Sequence, residues 1–472
     1  MIYDALDESV ALDRSVDVAI VGSGPAGITL ARALGAHLDV LLIEAGGHHA
    51  SAATDDSLSG AVSGLHYRLD ETRARRFGGS TALWAGYCAL FDPIDFDARP
   101  WVAHSGWPFA ASEVMEHYAA AAKLLHVDDA LFDASAFGET GAPFLSYDEA
   151  ADSCVSLWRF GEPKADFGTE NRQFLERARS IDVLTNACVT EIIVTDDGKA
   201  VSRLHVRTLA GRCASVRARC FLLAAGGIET PRLMLASRNQ CVDGIGNAYG
   251  HVGRWFMEHP HVSIDGIEMA ANPELAKWTG IAQHADGRHF TCCAGLRPDA
   301  QARLGVLNFR AHFYRSPAMT ADAPPRVGLF FEQAPSAASR LTLLHETDAL
   351  GLPRVRLNWN VCETDRRSHC LIGEMLAKHL LDNGTAIRTG PRGLSGEILY
   401  SNHQLGTTRM SVLARDGVVD ENCRVHGIDN LYIAGGSVFP TVSWANPTMT
   451  VLALTLRLAQ RLGRELAPHM AA

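Results

Sequence analysis

Residues 16–46 constrain the fold more than any other part of the chain. Val16 to Val21 is a short apolar run, V-D-V-A-I-V, and it ends directly in G-S-G-P-A-G. Ile28 to Leu38 then has helical spacing, Val40 to Ile43 is a second apolar strand, and Glu44 ends that strand 17 residues beyond Gly27. Gly22, Gly24 and Gly27 form G-x-G-x-x-G in a strand–turn–helix–strand setting, with an acid closing the second strand. Gly22 permits the tight turn, Gly24 lets the backbone approach a pyrophosphate, and Gly27 lets helix and strand pack closely. The start of the helix offers partial positive charge to phosphates. Glu44 can accept hydrogen bonds from ribose hydroxyls, and its charge repels a 2′-phosphate. The unit predicts an α/β, Rossmann-like dinucleotide site, but does not by itself separate NAD from FAD.

Length and charge narrow the setting. At 472 residues the chain is long enough for two or three domains, or for one large cofactor domain carrying an insertion. The net charge of −10 disfavours nucleic acid and anionic membrane surfaces, which select a basic excess. Eleven cysteines without a repeated spacing or a C-x-x-C suit free thiols in a reducing compartment, so a cytoplasmic protein is expected. The first residues lack a basic segment followed by an apolar one, and no apolar run approaches 18 residues, so neither a secretory signal nor a membrane helix is expected.

Further along, 111–126 has helical spacing. Val189 to Val194, Val201 to Thr208 and Cys220 to Ala224 read as strands, followed by a helix from Glu229 to Ser237. Alternation over 256–360, clearest at Arg326 to Gln333, Ser339 to Leu344 and Arg354 to Trp359, predicts one antiparallel sheet. A helix is expected over 363–382 with Gly384 as its cap, and a last one from Pro447 to Leu462.

Three more segments carry a resemblance. They are R-F-G-G-S-T-A-L-W-A-G at 76–86, H-Q-L-G-T-T-R-M at 403–410, and R-V-H-G-I-D-N-L-Y-I-A-G-G-S-V-F-P-T-V-S-W-A-N-P-T-M-T-V at 424–451. With the N-terminal fingerprint, and in this order, they resemble the glucose–methanol–choline (GMC) oxidoreductases, which use FAD. The segments 253–261 and 331–357 look like bacterial, pyranose oxidase-like members. The resemblance implies an FAD-binding Rossmann-like domain built from 1–90, 170–255 and 398–472. It also implies a substrate-binding α+β domain built from 91–169 and 256–397 on an antiparallel sheet. It implies flavin contacts from Gly78, Gly79 and Ser80, an adenine contact at Val189, phosphate contacts from Ala225 and Gly226, and isoalloxazine contacts from Gly435, Asn446, Pro447 and Thr448. Where pyranose 2-oxidase-like members carry a flavin-linked histidine after G-G-S, this chain has Thr81-Ala82-Leu83-Trp84. FAD is therefore expected to be non-covalent, with a bond from His66 or His104 as the alternative.

Alcohol oxidation by flavin needs a base for the hydroxyl proton, a donor to hold the oxygen, and a carbinol hydrogen aimed at flavin N5. Histidine ordinarily titrates near neutral pH and suits the base. His403 matches the family's base, and Asn446 matches the second member of the catalytic pair. Asn446 cannot titrate there and would hydrogen-bond the substrate oxygen. The alternative for Asn446 is a cap on the last helix. His259 and His261 could be a metal pair, but no third ligand is evident, so no metal is expected. Trp444 reads equally as pocket lining or core. The expected activity is oxidation of an alcohol CH–OH of a sugar, glycoside or polyol, with O2, a quinone or another acceptor reoxidising the flavin. An FAD-containing lyase on the same scaffold and a non-catalytic flavin-binding protein are the alternatives. A pyridine-nucleotide enzyme lacks its second G-x-G-x-x-G.

Overall fold

The computed structural model describes residues 1–127, 152–264, 267–268, 280–283, 287–314, 326–382, 386–387 and 398–466. Its largest sheet is built where the apolar runs promise strands. The order is Ile2–Asp4, Ile181–Thr185, Val40–Ile43, Arg14–Val21, Cys213–Leu223, Val201–Arg207 and Cys188–Val194, and Leu431–Ile433 also pairs with Cys213–Leu223. The central pairings are parallel, and the last three strands of the path form an antiparallel meander. Val18 to Ile20 and Val40 to Ile43 are buried on both faces, as expected of strands sandwiched between layers. The first helix, Pro25–Leu34, packs against the last, Thr448–Leu466.

Two glycines set the approach of the first helix to the sheet. Gly22 has φ +100°, and a side chain there would lie 2.7 Å from the Ala224 carbonyl oxygen. A Cβ on Gly27 would lie 1.9 Å from the Gly22 oxygen. Helix and strand therefore touch backbone to backbone, which only glycine allows.

The second sheet is antiparallel, in the order His261–Ile264, Arg326–Phe331, Phe309–Tyr314, His289–Leu296, Ser153–Phe160 and Tyr87–Cys88, with Ala282–Gln283 also pairing to His289–Leu296. One face, including Phe309, Phe313, Val327 and Phe331, packs on the helix Glu363–Asp382 through Ile372 and Leu376. The opposite face carries Trp158, His312 and Phe330, with the Trp158 ring against each of the other two.

The expectation of a single sheet over 256–360 is corrected. Arg340–Thr347 and Pro353–Trp359 leave the second sheet and form a third one, in which Pro353–Trp359 runs parallel to Gly60–Gly64. The second sheet in turn takes Ser153–Phe160 and Tyr87–Cys88 from outside that span. Helix ends also differ. The segment 111–126 divides into Ser112–Met115 and Tyr118–Leu124. The helix expected at Glu229 begins at Gly226, and the last helix begins at Thr448, one residue after Pro447. Gly384 lies outside the described residues.

A buried polar network joins the 92–107 segment to the second sheet. Arg99 donates to both carboxylate oxygens of Glu332, and the Asn308 N–H donates to Glu332 Oε2 at 3.1 Å. Asn308 and Arg310 both donate to Asp92 Oδ2, at 3.0 and 2.8 Å. Arg99 and Glu332 are buried, so removing one partner strands the other's charge in the interior. Glu332→Gln is expected to destabilise the fold by about 3–5 kcal/mol. The denaturation midpoint checks this, and an unchanged midpoint would show that Arg99 does not depend on its partner.

Candidate active site

Three helices begin at one cavity. Pro25 and Ala26, Gly226 and Gly227, and Thr448 all line it, and each stands at the start of its helix. Each helix start carries N–H groups without intrahelical partners and the positive end of the helix dipole. Gly24, Gly226 and Gly435 also line the cavity, and a Cβ on any of them would meet nothing within 4 Å. The wall is thus bare backbone facing open space, a cradle that suits a dinucleotide's phosphates and ring edges.

Most of the residues singled out from the sequence meet here. Gly22, Gly24, Glu44, Gly79, Ser80, Val189, Ala225, Gly226, His403, Gly435, Pro447 and Thr448 all line the cavity. Gly27 and Gly78 sit behind the wall as packing positions: a Cβ on Gly78 would lie 2.5 Å from the Gly168 nitrogen. Glu44 is buried and already engaged. Its Oε2 accepts from the Ser23 N–H and hydroxyl at 2.9 and 2.7 Å, and its Oε1 accepts from the Gly46 N–H at 2.8 Å. Burial pushes its carboxyl pKa upward against those donors. His66 and His104 are not among the described lining residues, and Trp444 packs in the core with its indole N–H on Asp92 Oδ2 at 2.9 Å.

His403 and Asn446 come together, with His403 Nε2 3.5 Å from Asn446 Nδ2. His403 Nδ1 is buried without a hydrogen-bond partner among the described residues. Burial lowers the His403 pKa to about 4, so the ring is neutral at neutral pH. This corrects the expectation that its titration stays near neutrality: desolvation penalises the imidazolium. Asn446 does not cap the last helix through its side-chain oxygen, because Oδ1 accepts from the Trp158 indole N–H at 2.8 Å. His259 sits against the aromatic face of the site. Its ring stacks on His403 at 5.3 Å and leans on Phe330 at 5.6 Å, and the described residues hold no group of three metal-ligating side chains.

Two site residues escaped sequence reasoning, Trp158 and Glu258. Glu258 is fully buried, and its two oxygens accept from the backbone N–H of His259, Ser401 and His403 at 2.9, 3.1 and 2.8 Å and from the Tyr67 hydroxyl at 3.1 Å. Burial pushes its pKa up to about 7 despite those donors. The only signal in the sequence was an acid beside histidine in an otherwise apolar stretch, W-F-M-E-H-P.

Comparison with known proteins agrees with this geometry. Residues 17–243 match the family model described as FAD dependent oxidoreductase, and residues 335–455 match that described as GMC oxidoreductase. The 6'''-hydroxyparomomycin C oxidase of Streptomyces lividus is 27% identical, over 99% of this chain and 95% of that protein. The C-glycoside 3-oxidase of Microbacterium trichothecenolyticum is 25% identical, over 97% of this chain and 98% of that protein. Among solved structures, a formate oxidase from Aspergillus oryzae superposes with a TM-score of 0.61 at 17% identity, covering 96% of this chain and 99% of that one, a likeness of fold. The α/β dinucleotide fold and its cavity are those of an FAD-dependent oxidoreductase. Within that class the chain belongs to the GMC oxidoreductases.

Glu258→Gln keeps the shape but replaces one acceptor oxygen with a donor facing backbone N–H groups. Each buried N–H left without an acceptor costs about 1–3 kcal/mol, so the variant is expected to unfold at lower denaturant and to reduce its flavin more slowly. Parent-like behaviour in both measurements would remove Glu258 from the support of His403.

Proposed function

We propose that the chain oxidises a CH–OH group of a sugar, glycoside or polyol to a carbonyl, with His403 as base and Asn446 as donor to the substrate oxygen. The observation that carries this reading is the His403–Asn446 pair, two side chains 43 residues apart that meet at 3.5 Å beside the start of the last helix. FAD, when bound, supplies the hydride acceptor. Gly22, Gly24, Ala225 and Gly226 would hold its phosphates, Glu44 a ribose hydroxyl through the remaining lone pair of Oε1, Val189 the adenine, and Gly79, Ser80, Gly435, Pro447 and Thr448 the flavin end, with Gly78 shaping the loop behind them. Segments 1–90, 170–255 and 398–472 would form the FAD-binding part, and 91–169 with 256–397 the substrate-binding part. His403 is the only histidine among the described cavity-lining residues, which supports non-covalent FAD.

The protein's own part in the reaction follows from the pair. Neutral His403 takes the hydroxyl proton on Nε2, and the Asn446 amide N–H holds the oxygen as it becomes negative. Phe330, half-buried beside the pair and packed on Trp158 and His259, offers an aromatic face that suits the C–H groups of a carbohydrate. The names of the two relatives, a 6'''-hydroxyparomomycin C oxidase and a C-glycoside 3-oxidase, support that class. No described helix is long and apolar enough to cross a membrane. All eleven cysteines are free, which supports a reducing, cytoplasmic setting.

The test is anaerobic stopped-flow reduction of the flavin by a panel of sugars, glycosides and polyols. His403→Ala should slow reduction by ~10²–10⁴-fold with near-normal FAD content, and Asn446→Ala by on the order of 10²–10³-fold. With the base titrating at about 4, the parent rate should be level around neutral pH and fall as pH drops toward 4. Below that point it should fall about tenfold per unit, because one proton blocks Nε2. The acid limb should be absent in His403→Ala. A His403→Ala enzyme that reduces its flavin at the parent rate sinks the mechanism, and turnover without flavin bleaching indicates a lyase.

Glu44→Ala should lower FAD retention through gel filtration while leaving the pH profile of the remaining holoenzyme unchanged. Parent-like retention would take Glu44 out of the cofactor site.

A further inference from the structure

The orientation of the Asn446 amide is decided outside the catalytic pair. An indole N–H can only donate, so the amide atom facing Trp158 Nε1 at 2.8 Å is the acceptor, Oδ1. That turns Nδ2, a donor without acceptor capacity, toward His403 Nε2 at 3.5 Å. On the other side of the imidazole, Nδ1 has no partner among the described residues that could choose a tautomer. The Asn446 amide is therefore the group that selects between the two neutral forms of His403. A proton on Nε2 would face an N–H donor, whereas a lone pair there accepts from it.

Trp158 is well placed to hold the amide. It lies on the strand Ser153–Phe160 and is buried. Its ring is clamped edge-to-face by Phe330 at 4.9 Å, His312 at 5.3 Å and Trp444 at 5.4 Å. Trp444 is pinned in turn by Asp92, and the Arg310 guanidinium lies 4.6 Å from its ring centre. The indole thus has little freedom to turn away from Asn446.

We propose that Trp158 is a positioning residue: its indole N–H fixes the Asn446 amide, and the amide in turn holds the His403 lone pair on Nε2. The proposal rests on the reading of His403 as base for its catalytic consequence, but not for its structural one. Donors run in one direction, Trp158 to Asn446 to His403. The pair then offers a hydroxyl substrate one acceptor, Nε2, and one donor, Nδ2, side by side. With the amide reversed, Oδ1 would face His403, favour a proton on Nε2, and leave an acceptor where the substrate oxygen needs a donor.

The test reads the tautomer and the rate separately. Nitrogen NMR of holoenzyme carrying ¹⁵N-histidine, with His403→Gln to assign the signal, is expected to give an unprotonated, pyridine-type Nε2 and a protonated Nδ1 without substrate. A protonated Nε2 in the parent enzyme overturns the proposal, and needs no Trp158 variant. Trp158→Phe keeps an aromatic ring and removes the N–H. It should move the His403 signal toward a mixture of tautomers and slow anaerobic flavin reduction by about tenfold or more, within the range for losing one oriented donor. FAD content should stay at the parent level. In an Asn446→Ala background the same substitution should change the rate by less than about twofold, since two residues acting through one contact are non-additive. An unshifted tautomer, or an equal slowing in both backgrounds, overturns the proposal. Should His403→Ala keep the parent rate while the tautomer behaves as expected, the base assignment fails and the positioning chain stands.

Discussion

Two stretches of backbone and one tyrosine side chain meet on the Glu258 carboxylate. Met257 and Leu405 pair as an antiparallel bridge, as do His261 and Leu399, so 257–261 and 399–405 run side by side. Between those bridges Glu258 collects the N–H groups of His259, Ser401 and His403. Tyr67 adds its hydroxyl and also accepts from the Gln404 amide, tying the Gly-rich N-terminal half to the same point. A buried carboxylate is costly unless its lone pairs are used. Four donors to two oxygens offset that cost only while all the segments hold their places. The position of His403 is thus a condition of the fold, and in its proposed role as base a side chain held this way would need little reorganisation as the hydroxyl proton moves.

What could be read from the sequence was whatever depended on local geometry or on a contiguous motif. The turn at Gly22 and the contact at Gly27 are local demands, met by glycine and visible as spacing. His403 and Asn446 were legible because each stands inside a long matching segment. The sheet partners of Arg340–Thr347 and Pro353–Trp359 were not. Alternation reports that a strand has two unlike faces, and does not say which strand lies beside it. The partner here, Gly60–Gly64, is five small or exposed residues, G-A-V-S-G, without an apolar stripe. Trp158 and Glu258 were hidden for a related reason. Each acts through contacts with residues far off in the sequence, and a lone residue leaves no period to detect.

The titration of His403 shows the same division. Residue type alone puts a histidine near neutrality. The depth at which His403 sits, beneath the second sheet's aromatic face and beside His259, is tertiary information, and it moves the pKa to about 4. The shift keeps the acceptor form populated at neutral pH but would weaken His403 in its proposed role as base. Under the same proposal the donor on Asn446 would compensate, because stabilising the developing oxygen anion lowers the proton affinity that the base must match.

An anionic cofactor inside a chain of net charge −10 calls for local positive potential. The arginines at the cavity wall do not supply it freely. Arg73, Arg75 and Arg232 all converge on Glu229, and Arg232 also bonds Asp348 at 2.8 Å. Helix starts remain. Those at Pro25, Gly226 and Thr448 face the same cavity, each carrying roughly half a positive charge in unpartnered N–H groups. Surface acids more than about 10 Å away are screened by salt, whereas dipoles lining a partly enclosed wall are not. The first of the three packs on the central sheet through glycine, since a Cβ on Gly27 would lie 1.9 Å from the Gly22 oxygen. Backbone proximity at Gly22 and Gly27 therefore does two jobs: it closes the core, and it brings the first of these N-termini to the place where phosphate charge would sit.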